Sequence, residues 1–141
     1  MSWWAGYVAA TFIWFGMVLA ISFIEAPLKF RAPGVTLVIG LGIGQLVFRA
    51  LNIVEVLLAV LVIAGMLGGS PRPAVVCSVV AVAALAVQLA LIRPRLRRRT
   101  AEVLAGTGAA RSHAHVGYVV LELVKASALI AAGVLLLAAR P

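Results

Sequence analysis

The residues of this chain best suited to chemistry fall into two sets within apolar sequence. One is Gln45, Arg49, Asn52 and Glu55 in "GQLVFRALNIVE"; the other is His115, Tyr118, Glu122 and Lys125 in "HVGYVVLELVK". On a helix advancing about 100° per residue, the first set covers an arc of about 120° and the second about 80°. Each is therefore a polar stripe along one helix face. Carboxylates beside cations in apolar surroundings can exchange protons, hold a small ion or solute, or act as acid and base on a bound substrate. An unpaired charge at membrane depth costs at least about 2.5 to 3.5 kcal/mol, so the stripes are expected to face one another. Depth matching pairs Arg49 with Glu122 and Glu55 with Lys125. Glu25 adds a carboxylate at the end of the first apolar run, followed by Pro27, Lys29 and Arg31, and Gln88 lies in the third run.

The elements that must position these residues follow from composition. Hydrophobic residues make up 65% of the chain and charged residues 11%, with a mean hydropathy of +1.18. These values lie outside the range of soluble domains and place the chain among integral membrane proteins. Apolar runs extend from Trp3 to Ile24, Val35 to Leu67, Ala74 to Ile92 and Val116 to Ala139. Their continuity at that length excludes a β-barrel and predicts an all-α integral membrane protein, a four-helix transmembrane bundle forming one domain over residues 1–141. No basic leader precedes the first run, so it is expected to be retained rather than cleaved. The single Cys77 lies inside an apolar run and can form no intrachain disulfide.

The second run, about 33 residues, would measure roughly 50 Å as one helix against a hydrocarbon core of about 30 Å. A bent or tilted helix is expected, its entry marked by Gly40, Gly42 and Gly44. Gly40 and Gly44 have the GxxxG spacing and read as a close intramolecular packing site. "GGSPRP" is a tight connection. The stretch from Arg93 to Ser112 reads as a long loop with a short surface helix from Thr100.

Lys29, Arg31, Arg93, Arg95, Arg97, Arg98, Arg99 and Arg111 fall on one side of this topology, and Arg72 and Arg140 on the other. The positive-inside rule then predicts cytoplasmic first and third loops, with both termini outside. The composition suits a bacterial inner membrane. Beyond the bilayer itself, the expected partners are anionic lipid headgroups near the basic loop, and a second copy or another membrane protein. Nucleic acid is not among them, because no aromatic interleaving or nucleic-acid fold accompanies the arginines.

Cofactors stay open. Glu25, Glu55, Glu122 and His115 are weighed as metal ligands, but the Glu-x-x-His pairing of di-iron bundles is absent and no metal site is assigned. His113 and His115 would point about 200° apart on a helix, which leaves His115 alone as a haem ligand. In size and helix count the chain is similar to small haem-associated protoporphyrinogen oxidases, without their residue motifs. Together, "FIEAPLKFRAPG", "GQLVFRALNIVE" and "HVGYVVLELVK" resemble segments of a group of uncharacterised small four-helix bacterial membrane proteins. That resemblance implies the fold and brings no activity with it.

The leading expectation is a charged intramembrane cavity that binds, and could transport, a small solute or ion. In it Glu55 or Glu122 changes protonation while Arg49 or Lys125 exchanges partners. A membrane-embedded enzyme acting on a lipid or isoprenoid is the alternative, and an accessory subunit the third reading. Ion pairs that merely fix helix register would need no ligand. A stripe turned outward would favour a partner protein.

Overall fold

The computed structural model describes residues 2–106 and 113–139. Arg111 and Arg140, counted in the charge asymmetry, and the side chain of His113 lie outside the described residues. The order of elements is α1 Ser2–Val18, a π-helical turn Leu19–Glu25, α2 Ala26–Leu28, a 3₁₀ turn Lys29–Arg31, α3 Leu37–Met66 and α4 Arg72–Val87. A second π-helical turn, Gln88–Ile92, then leads into α5 Arg93–Leu104, and α6 is His113–Ala138. Four stretches are long and apolar enough to cross a bilayer: Trp3–Arg31, Leu37–Met66, Arg72–Leu104 and His115–Ala138. This is the all-α bundle expected of a multi-pass membrane protein, with no strand among the described residues.

α1 packs against both α3 and α6, while α6 packs most extensively against α4. Small residues allow this last approach: Ala74, Ala81 and Ala84 on α4 and Ala128 and Ala132 on α6 are all buried. Trp14, Val18, Val62, Leu129 and Leu136 fill the space between the helices. Leu37, Leu46, Leu57, Leu61 and Val76 stand exposed on the outside. In water such a surface would be a liability; in lipid it is the solvated face.

Several boundaries differ from the sequence reading. The first helix continues past Ile24 through its π turn to Arg31. The third continues past Ile92, so a helix at Arg93–Leu104 replaces the expected loop with a helix starting at Thr100. Pro94 lies inside this continuous helix just after the π turn, so its missing N–H falls where the helix is already irregular, and the Arg, Leu, Ala and Glu that follow are good helix formers.

α3 is unbroken from Leu37, with Thr36 capping it by accepting from the Ile39 amide at 3.3 Å. Its glycine-rich start is part of the one helix, as expected of this run. Side chains of the preceding segment pack onto these glycines: a Cβ at Gly40 would collide with the Phe30 ring, whereas one at Gly44 would meet only the flexible end of Lys29, Nζ at 2.9 Å. The intramolecular packing expected of this pair is thus made by side chains at the end of the first helical span, Lys29 and Phe30. Gly34 and Gly69 turn the chain at φ of 79° and 86°, a region that favours glycine.

Candidate functional site

At the centre of the bundle lies Lys125, whose ammonium is wholly enclosed. It pairs with Glu55 of α3 and, at 2.6 Å, with Glu122 one turn earlier on α6. Its third donor goes to the Gln88 side-chain oxygen at 2.7 Å. Gln88 in turn donates from Nε2 to Glu122 Oε1 at 2.6 Å, and Trp14 donates from its indole nitrogen to Glu55 Oε1 at 2.9 Å. Five side chains from α1, α3, α6 and the π turn after α4 therefore form one network, and none of the five is more than 2% exposed. Each carboxylate keeps one oxygen, Glu55 Oε2 and Glu122 Oε2, buried without a hydrogen-bond partner.

The next level lies towards the basic end. Tyr118, one turn before Glu122, is 7% exposed and its hydroxyl is buried without a partner. Ser22 and Arg93 lie near that hydroxyl. The Tyr118 ring meets Phe48 edge-on at 5.5 Å between centroids. Phe48 also carries two cations against its face, Lys29 at 5.4 Å and Arg93 at 5.9 Å. Lys29 pairs with Glu25 at 3.5 Å across one helical turn, outside the main network.

The structure brings Glu55, Glu122 and Lys125 together, with Tyr118 one level away, and separates the others. The expected pairing of Glu55 with Lys125 is present. The expected pairing of Arg49 with Glu122 is not: Arg49 and Gln45 are exposed and Asn52 is half-buried. Helix geometry explains the split. With Gln45 at 0°, the buried residues Leu51, Leu58 and Val62 cluster at about 220° to 260°, which leaves Glu55 at about 280° at the rim of the inner face and Arg49 at about 40° on the outer one. The stripe was wider than the face the bundle buries.

Arg49→Ala is therefore expected to change stability by less than about 0.5 kcal/mol, and to add simply to Glu122→Ala in thermal melts. His115 is exposed, and Glu25 lies with Lys29, so the residues weighed as metal ligands do not converge. Among the described residues no group of three potential ligands is placed to hold a metal ion.

Trp14 was missed as part of this constellation. Its sequence cue is a tryptophan in the middle of an apolar span, away from the interface where its N–H could find water, so that a buried acceptor must exist. Gln88 carries a related cue, an amide whose donor and acceptor sides both need partners inside a membrane. No protein-family model, curated protein or solved structure matches this chain, so what the site can do is argued from its own geometry.

Proposed function

We propose that the protein is a small membrane protein that binds and releases a proton at the Glu55–Lys125–Glu122 cluster. One observation carries this reading: two carboxylates and a single ammonium are enclosed together, and each carboxylate has an oxygen left unpartnered. With all three ionised the set holds one net negative charge in a low-dielectric interior, and a proton on either carboxylate makes it neutral. The Lys125 ammonium contacts both carboxylates at once, so a proton moving between them needs no rearrangement of the cation.

The groups facing the cluster leave this balance in place. From α1 comes the Trp14 indole and from the π turn after α4 the Gln88 amide, both neutral; α6 adds Tyr118, and the half-buried Arg93 lies beyond it. A larger solute has less support, because Lys125, the Gln88 amide and the Trp14 indole already bind the carboxylates and only Glu55 Oε2 and Glu122 Oε2 of the cluster are left without a hydrogen bond. A lipid substrate has less still, since none of the five side chains reaches the lipid-facing surface.

The protein is proposed to sit in a bacterial inner membrane with its basic loops cytoplasmic and its termini outside, as the charge asymmetry favours. The exposed arginines of α5, including Arg97 and Arg98, would then lie against anionic headgroups. The accessory-subunit reading draws support from Gln45 and Arg49, polar residues turned outward on α3.

The test is infrared difference spectroscopy of the protein in lipid nanodiscs between acidic and alkaline buffer. The wild type should show a protonated-carboxyl band that appears on acidification and is lost or displaced in both Glu55→Gln and Glu122→Gln. A wild-type spectrum without such a band over the whole range in which the bundle stays folded would leave the cluster as a register device only.

A further inference from the structure

Among the described residues the buried side-chain oxygens without a hydrogen-bond partner are Ser22 Oγ, Glu25 Oε2, Glu55 Oε2, Tyr118 OH and Glu122 Oε2; Glu25 Oε2 is ion-paired with Lys29 at 3.5 Å, and the Ser22 and Tyr118 hydroxyls lie beside one another. Their placement is one-sided. Glu55 and Glu122 belong to the cluster, while Ser22, Tyr118 and Glu25 follow one another from it towards the end that carries Lys29 and Arg93. On the opposite side of Lys125 the buried polar side chains are satisfied: the Tyr7 and Ser78 hydroxyls share a hydrogen bond of 2.6 Å, and Thr11 donates to the Tyr7 carbonyl at 2.8 Å.

Packing follows the same division. Trp14 and Val18 are fully buried, yet none of the residues of the π turn that follows, Leu19–Glu25, is buried. In the other π turn Gln88 alone is buried, and none of α5 is. Wide π turns thus flank the bundle at the level where the unpartnered oxygens lie, and such turns occur often at functional sites. A buried hydroxyl or carboxylate oxygen with no protein partner is the usual place for an ordered water, which needs two to four polar neighbours. Ser22, on the first π turn, and Tyr118 and Glu122, on α6, can provide them in succession.

We infer that a file of water molecules enters the bundle at its basic end and passes Ser22 and Tyr118 to reach Glu122, while the opposite half is sealed. The water exchanges with solvent on one side only. This deepens the proton-binding reading and rests on it: the cluster takes its proton from the side of the basic loop and has no matching exit. The protein then senses or stores a proton from one compartment and does not conduct it between two.

Cysteine accessibility tests this directly. In a Cys77→Ala background, Ser22→Cys and Tyr118→Cys report on the water file, and Ser78→Cys and Thr11→Cys on the sealed half. Gly106→Cys and Gly69→Cys mark the two surfaces. The probe is a small water-soluble methanethiosulfonate ammonium reagent added to sealed proteoliposomes of defined orientation, with folding checked by thermal melt. Ser22→Cys should react at least about tenfold faster than Ser78→Cys, and only from the side that labels Gly106→Cys. Should Tyr118→Cys fail to fold, Ser22→Cys alone decides.

Equal rates at Ser22→Cys and Ser78→Cys would overturn the file, and labelling of Ser22→Cys from the Gly69→Cys side would overturn its direction. The outcome is separable from the proton test. A titrating carboxyl band with an unreactive Ser22→Cys sinks the file alone, whereas a reactive Ser22→Cys with no titrating band sinks proton binding and leaves the file standing.

Discussion

Lys125→Ala should be the most damaging single substitution in this protein, lowering stability by about 3 to 5 kcal/mol, the usual consequence of removing one partner from a buried charge pair. The loss has three identifiable parts. Glu55 and Glu122 lose their shared cation, the Gln88 oxygen loses its donor, and two carboxylates are left together in an interior that screens them poorly. Thermal denaturation in a single detergent would measure it.

A sign accompanies the magnitude. Protonating one carboxylate removes the repulsion, so the deficit of Lys125→Ala relative to wild type should shrink as the buffer is made more acidic. The variant combining Lys125→Met with Glu55→Gln and Glu122→Gln should recover much of the stability, because a set without charges has no charge left to compensate. A deficit that stays constant with pH, or a triple variant as unstable as the single one, would mean that packing rather than charge sets the role of Lys125.

Glu55→Ala is expected to come close behind, at about 3 kcal/mol or more, since its Oε1 serves both Lys125 and the Trp14 indole. Leaving the Trp14 N–H buried without an acceptor accounts for about 1 to 3 kcal/mol of that loss. Glu55→Gln keeps an oxygen for both donors and should cost distinctly less. In a double-mutant cycle the Glu55 and Lys125 substitutions should deviate from additivity by about 0.5 to 3 kcal/mol. The contrast between Ala and Gln also separates scaffold from site: Glu55→Gln should melt near the wild type yet alter the titrating carboxyl band. If Gln and Ala destabilise equally, the carboxylate's charge matters to the fold more than its shape and hydrogen bonds do.

The amino-acid sequence by itself determined the solvent of this protein and the number of its crossings. Continuous apolar runs must satisfy their own backbone hydrogen bonds in lipid, and only helices do so segment by segment. It also determined the inward face of α6, because Tyr118, Glu122 and Lys125 share an arc with the buried Ala128, Leu129, Ala132 and Leu136. Helical periodicity alone suffices for that.

The tertiary structure decided which edge of the other stripe turned inward. A polar arc of about 120° on α3 is wider than the face its neighbours cover, so the packing of α1, at Trp14, selected Glu55 and left Arg49 outside. It also decided that Lys125 answers two carboxylates and an amide at once, a convergence of four chain segments that no spacing within one helix encodes. The π turns, which loosen the bundle on one side of the cluster, were equally illegible. A single residue inserted into a helical turn leaves the apolar pattern of the span almost unchanged and redirects only the side chains around it.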